Sequence, residues 1–276
     1  MLISVCPAAF AADDSLVVLG ADLNEEQILA VYKIFGIERG SVRELTITNA
    51  EERSYLEGLI DESKIGTKSC SSVYVEIRND NQGMIIETQN ISWCTPDMYY
   101  NALVTAGVTD ARIVVAAPFE STGTSALAGI YKAYESITGT KLDEQAKSAG
   151  TQELSITGEL AEQFGNLNAI RIIAALKDLV GKSAKLSDEE LREEIVSIAT
   201  DCGVTLSEHQ ITQLVELFRS LEKIDAGSIR ERVENAQETI QHLGEAKDKA
   251  EGFYEKLGDL MSAISDFIAG LKDLFG

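Results

Sequence analysis

Asn101-Ala-Leu-Val-Thr-Ala-Gly107-Val-Thr-Asp-Ala111-Arg-Ile-Val-Val-Ala-Ala117-Pro118 decides the fold class. Thr95-Pro96-Asp97 just before it is a helix start, with a threonine cap and proline at the first helical position. The helix runs to Ala106 and stops at Gly107, the residue type that best tolerates a left-handed helix end. A short turn leads into an apolar strand, Ala111–Ala117, that ends at Pro118. The same order occurs earlier. Ala30-Val-Tyr-Lys-Ile-Phe-Gly36-Ile is followed by a strand ending at Asn49-Ala50. Two such units predict an α/β or α+β fold with internal pseudo-symmetry. Shared local grammar without symmetry is the alternative.

Working outward, residues 15–140 keep alternating strand and helix signals. Ser15–Leu19 is a short apolar strand. Asn24 caps a helix through Phe35, with Glu25 and Glu26 in the first turn, where the helix dipole favours negative charge. Val42–Thr48 alternates apolar and polar residues, as a half-buried strand does. Ala50–Ile60 is helical. Ser72–Arg78 and Met84–Ile91 read as strands joined in a hairpin by Asn79-Asp-Asn-Gln-Gly83. Thr122–Ile137 is a helix closed by Gly139. Past residue 140 strand signals vanish, apart from Leu154–Thr157. Asn168–Val180 is one helix. Ser187-Asp-Glu-Glu190 opens another with a capping box, and Ser207-Glu-His-Gln210 opens a third that runs to Leu221. From Ile229 to Phe275 apolar residues follow a heptad frame broken at Lys247, which predicts a long amphipathic helix or a helical hairpin. The expected domains are therefore 12–140, mixed α/β with two similar α-β units, and 141–276, all-α.

Met1–Ala11 is apolar, uncharged and ends in Ala9-Phe10-Ala11, a small-x-small pattern that signal peptidase accepts. It is read as the remnant of an export signal. The basic segment that normally precedes such a run is missing, so a start codon further upstream is expected. The protein is then secreted or held in the cell envelope. No other stretch approaches the roughly 20 apolar residues that span a bilayer. Removal of the signal takes Cys6 away and leaves Cys70, Cys94 and Cys202. Cys70 and Cys94 flank two strands and could pair across a sheet; buried free thiols are the commoner outcome.

Net charge is −21. Residues 1–140 carry 9 basic and 19 acidic groups and residues 141–276 carry 15 and 26, so the acidity is not confined to a tail. Without a basic cluster, nucleic acid is excluded as a partner, because duplex binding rests on lysine and arginine displacing counterions. Neither His209 nor His242 lies in the α/β part, which removes a Ser-His-Asp triad. The cysteine spacing holds no zinc pattern, and no phosphate-binding glycine motif occurs. No catalytic residue, metal or cofactor is assigned.

The best single feature is Phe119-Glu-Ser-Thr-Gly-Thr-Ser125, between a strand and a helix start. Ser121, Thr122, Gly123 and Thr124 could present N–H groups to an anion, or form a plain capping loop. Thr48-Asn-Ala-Glu-Glu-Arg53 occupies the matching junction earlier, with Thr48, Asn49, Glu51 and Arg53 as candidate ligand contacts. If the units are related, both loops lie at one end of the sheet, where ligands of open α/β sheets bind. Trp93 reads as a core anchor more than a ligand platform. The expected partner is a small anionic or cell-wall ligand, with self-association through residues 229–276 as a further expectation. The rival readings are a carboxylate-dependent extracellular hydrolase and a structural module that assembles through its C-terminal helix.

Several spaced motifs carry a family resemblance. They are Thr48-Asn-Ala-Glu-Glu-Arg-x-Tyr55, Ile65-Gly-Thr67 with Ser71-Ser-x-Tyr-Val-Glu76, Asn90-Ile-x-Trp-x-Thr-Pro-x-Met-Tyr99, Asn101-Ala-Leu-x-Thr-Ala-Gly107, and Ala116-Ala-Pro-Phe119 through Thr122-Gly-Thr-x-Ala-Leu-x-Gly-Ile130. In this order they resemble the YpuA-like secreted proteins of Gram-positive bacteria, a family labelled domain of unknown function 1002. The likeness covers residues 15–160 well, and the helical half is similar in kind. It implies export and no established activity, so no catalytic role carries over. The cysteines depart from the family pattern.

Overall fold

A computed structural model describes residues 14–78, 82–177 and 179–224. The stretch Met1–Ala11 that is read as an export signal, the tip of the Asn79–Gly83 turn, His242 and the segment 229–276 with its heptad reading lie outside the described residues. The chain is mixed α/β and divides into two compact units between Ser155 and Ile156.

The first unit holds a five-stranded mixed sheet in the order β2-β1-β3-β5-β4. The strands are β1 (Ser15–Gly20), β2 (Arg43–Ile47), β3 (Ser72–Ile77), β4 (Ile85–Ile91) and β5 (Ala111–Ser121). β1 pairs in parallel with β2, and β4 in parallel with β5, while β3 runs antiparallel to both β1 and β5. Four strands therefore point one way around a reversed centre. Parallel neighbours need a crossover, and helices α1 (Glu25–Phe35) and α4 (Pro96–Ala106) supply them. Each ends on a left-handed glycine, Gly36 or Gly107. The strands that follow are not equivalent, since β2 is an edge strand and β5 an inner one.

Alternation along the strands sorts the core. Val17, Leu19, Tyr74, Val114 and Ala116 meet Ile28, Val31, Tyr32 and Phe35 of α1 on one face. Val18 and Val73 turn to the other face and lie against Gly129 of α5 (Thr124–Thr138). Helices α2 (Asn49–Leu56) and α3 (Glu62–Ile65) and the long α6 (Glu144–Phe164) complete this unit's helices, α6 continuing past residue 155. Among the described residues the second unit holds helices only: the end of α6, then α7 (Asn166–Lys177), α8 (Val180–Ser183), α9 (Asp188–Asp201) and α10 (Glu208–Leu221). Its core includes Leu160, Ile172, Leu176, Leu191, Ile195, Leu214 and Phe218. The capping boxes at Ser187 and Ser207 are both formed. His209 lies exposed on α10.

Three expectations are corrected. β3 and β4 are not a hairpin, because β5 lies between them. Leu154–Thr157 is helical, inside α6. β5 does not stop at Pro118 but runs to Ser121. Beyond Ala116 it has lost β3 as a neighbour, and its register with β4 jumps from Gln89–Ala116 to Ile91–Ser121, so that β5 carries the extra residues, Pro118 among them, and the missing proline N–H breaks no regular ladder. β2 is the half-buried strand expected, Leu45 half-buried and Ile47 buried between exposed Glu44, Thr46 and Thr48.

Candidate functional site

Because β1, β2, β4 and β5 point the same way, their carboxyl ends collect at one end of the sheet, together with the start of β3. The connecting backbone is stitched there. Ala21 donates to the Ile47 carbonyl (3.0 Å), Asp22 to Ser69 (3.2 Å), Ser92 to Ser121 (2.8 Å) and Cys94 to Thr122 (2.9 Å).

The β2–α2 junction is built locally. Thr48 caps α2, accepting from the Glu51 amide, while the Glu51 carboxylate reaches back to the Thr48 amide and hydroxyl. Lys132 of α5 donates to the same carboxylate at 2.5 Å. That bond, with those from Thr48, holds the Glu51 carboxyl below the ordinary range. Asn49 accepts from Arg53 Nε (3.2 Å), and Arg53 grips both oxygens of Glu62 (3.0 and 2.8 Å) and the Gly66 carbonyl (2.9 Å).

The β5–α5 junction is built from far away. Gly123 is the N-cap of α5, with φ +96° and no side-chain cap bond. A Cβ there would lie 2.5 Å from the Tyr99 hydroxyl and 2.7 Å from Ile91 Cγ2. Tyr99 donates to the Gly123 carbonyl (2.6 Å). The α5 amide of Ala126 donates to Ser71 Oγ (3.1 Å), which also lies 2.6 Å from Ser125 Oγ. Thr122 donates to the Lys64 carbonyl (2.8 Å). Ser121 contributes its carbonyl, which accepts from both the amide and hydroxyl of Ser92.

The two junctions meet at a residue that sequence reasoning passed over, Glu52. It is completely buried. Its Oε1 accepts from Thr124 Oγ1 (2.7 Å) and its Oε2 from Asn49 Nδ2 (3.3 Å). Burial pushes its carboxyl up to about 7, against the pull of those two bonds and of Arg53. A glutamate in the first turn of a helix reads as a solvated partner of the dipole. The available signal was spacing, for Glu52 and Leu56 stand four apart on the buried stripe of α2. Beside Glu52 lie Cys94 and Tyr99, both fully enclosed. Burial pushes the Cys94 thiol up to about 12 and the Tyr99 phenol well above its usual range. Cys70, Cys94 and Cys202 are all free. The Lys64 ammonium lies 5.4 Å over the Trp93 ring, and the buried Trp93 Nε1 has no hydrogen-bond partner.

All eight candidate residues thus lie at the carboxyl end of the sheet. Thr48, Asn49, Glu51, Arg53, Thr122 and Thr124 spend side-chain bonding capacity on one another, on Glu52, Glu62 and Lys132, or on carbonyls of the α3 segment. Among the described residues no group of three or more histidine, cysteine, aspartate or glutamate side chains is placed to hold a metal. None of the helices among them is long and apolar enough to cross a membrane. What the arrangement offers chemically is one enclosed carboxyl, two threonine hydroxyls and the start of α5.

Comparison with known proteins gives a consistent picture. Residues 19–239 match the family described as Protein of unknown function (DUF1002). The chain is 35% identical over 274 residues to the uncharacterized protein YpuA of Bacillus subtilis (strain 168), which covers 98% of this chain and 94% of the relative. No solved structure matches.

Proposed function

The chain belongs to the family described as Protein of unknown function (DUF1002), and within it we propose an exported, non-enzymatic binding protein of the envelope or cell exterior that takes a small anionic or cell-wall ligand at the carboxyl end of its sheet. The observation that carries the binding reading is the meeting of the two strand-to-helix junctions across 72 residues, Thr124 to Glu52. Export rests on Met1–Ala11, whose apolar run and Ala9-Phe10-Ala11 ending have the character of a secretion signal. The domain reading that goes with it is a signal remnant 1–11, an α/β domain 12–140 with two related units, and an all-α domain 141–276 ending in an amphipathic helix or hairpin.

The hydrogen bonds at this end set a condition on binding. A ligand has to exchange its polar groups for the internal bonds of Thr122 and Thr124, so affinity is the surplus over their loss. The test is thermal unfolding of the full chain with phosphate-bearing and carboxylate-bearing fragments of cell-wall polymers. Protection should appear in the wild type and vanish in Thr122→Ala/Thr124→Ala. A panel in which no fragment raises the wild-type melting temperature removes the reading.

One observation favours the rival, a carboxylate-dependent hydrolase: a buried carboxyl raised to about 7 suits a general acid or base. Turnover of a glycoside, ester or amide substrate that is lost in Glu52→Gln would establish that rival instead. Assembly through residues 229–276 is checked by light scattering on the full chain, where a monomer at every concentration excludes it.

A further inference from the structure

Thr124 Oγ1 carries one hydrogen and has two acceptors within reach, Glu52 Oε1 at 2.7 Å and the Lys64 carbonyl at 3.3 Å. Its third neighbour, Thr122 Oγ1 at 3.3 Å, already donates to that same carbonyl at 2.8 Å. An ionised carboxylate can only accept, so it claims the Thr124 hydrogen; a carboxylic acid can donate. Oε2 receives the Asn49 amide, which leaves Oε1 as the oxygen that faces Thr124 and takes the proton.

We propose that Thr124 is a two-position hydrogen-bond switch set by the protonation of Glu52, tying α5 to α2 when Glu52 is a carboxylate and to the Lys64 carbonyl of α3 when it is an acid. The balance is simple. Glu52 gains one proton from solvent and donates it in a hydrogen bond to Thr124 Oγ1. The threonine hydrogen rotates from Oε1 to the Lys64 oxygen, and no covalent bond other than the carboxyl O–H forms or breaks. The switch holds whether or not this end of the sheet binds a ligand.

The groups facing Glu52 from each surrounding element support the assignment. From its own helix Arg53 favours the carboxylate, and from the β1–α1 connection Asp22 opposes it. Cys70 stands before β3, Cys94 and Tyr99 stand on the β4–α4 side, and Lys64 on α3. Burial raises the thiols of Cys70 and Cys94 and the phenol of Tyr99, so these three stay neutral where Glu52, raised by its own burial to about 7, changes charge.

The full chain labelled with 13C at glutamate Cδ and with 15N tests this between about pH 5 and pH 9. The Glu52 signal, identified by its absence in Glu52→Gln, should titrate near neutrality. The 15N shift of Ile65, which shares a peptide group with the Lys64 carbonyl, should follow with the same midpoint. Thr124→Val removes a donor to the carboxylate. The Glu52 midpoint should then rise by about one pH unit and Ile65 should cease to follow. Thr124→Ser should restore both. Glu52 ionised throughout the range, Ile65 indifferent to pH in the wild type, or a Thr124→Val midpoint equal to the wild type would each overturn the switch. Should Glu52→Gln fail to fold, the one near-neutral glutamate titration whose midpoint lies higher in Thr124→Val than in Thr124→Ser identifies the signal.

Discussion

The β2–α2 junction caps its helix with residues three apart in sequence, Thr48 and Glu51. The β5–α5 junction caps its helix with a serine 55 positions away, Ser71. Both stand at the carboxyl end of the same sheet and share Glu52. They differ in where the information for the cap resides. The first is a property of a short peptide and survives on the surface, exposed to water. The second exists only after β3 and β5 have paired, and it lies in the interior with Tyr99, Cys94 and Ile91 packed on Gly123. A local cap is replaceable, because water satisfies the amides it leaves. A distant cap is not, because water does not reach the buried groups it leaves, and the Ala126 amide keeps only its bond to the Gly123 carbonyl (3.1 Å).

The widest separation between the junctions should come from Gly123→Ala. Its methyl group meets Tyr99 Oη and Ile91 Cγ2 below contact distance at φ +96°, and a loss of about 3 kcal/mol or more is expected by denaturant unfolding. A loss under about 1 kcal/mol would mean that the interior junction yields as easily as the exposed one.

Glu52 comes next. Its folded carboxyl, raised from 4.5 to about 7, holds a proton that the unfolded chain has released. Stability should therefore fall as pH rises through that window, by something on the order of 3 kcal/mol, and Glu52→Gln should flatten this fall. The lowered Glu51 acts in the opposite sense, its contribution being lost as pH drops below the unfolded carboxylate range, so the two windows are separable. A wild-type curve with no decline between pH 5 and 7.5 (about the width of the window) would contradict the enclosed carboxyl.

Ser71→Ala removes the distant cap and should cost about 2 kcal/mol. Thr48→Ala should cost about 1 kcal/mol, with Thr48→Ser close to neutral. Reversal of that order would show the local cap to be the stronger.

The same distinction governs what could be read in advance. Helices α1, α4, α9 and α10 begin where Asn24, Thr95, Ser187 and Ser207 announce them, because each cap is complete within a few residues. Helix α6 is capped locally as well, Asp143 Oδ1 accepting from the Ala146 amide (2.9 Å), but its middle misleads. Residues 153–158 are buried without a break, so helical periodicity is absent, and the β-branched Ile156 and Thr157 imitate a strand. The position of β5 was equally hidden. A turn-like Asn79–Gly83 suggests that β3 and β4 are partners, but pairing across more than thirty residues (Tyr74 with Val114, for example) leaves no trace in either strand alone. At the site the loops were legible as strand-to-helix junctions. Glu52 was legible only through its spacing of four from Leu56, and Glu51 stands four from Tyr55 in the same way, so the fold decides which of the two adjacent glutamates turns inward.

The strand order also constrains how this unit comes together in time. β1, β2 and β3 can pair as soon as residue 77 is available, whereas β4 has β5 alone for a neighbour and waits for residues 111–121. In the finished chain loop length acts the other way, for β4 meets β5 across a short separation (Ile85 with Arg112) and β1 meets β3 across about twice as much (Val18 with Val73), and the shorter loop closes at lower entropic cost. In pulse-labelled refolding, the amides of β4 should gain protection in step with those of β5, and no later than those that pair β1 with β3. During synthesis β5 is the last strand to emerge, and it completes both the sheet and the buried start of α5.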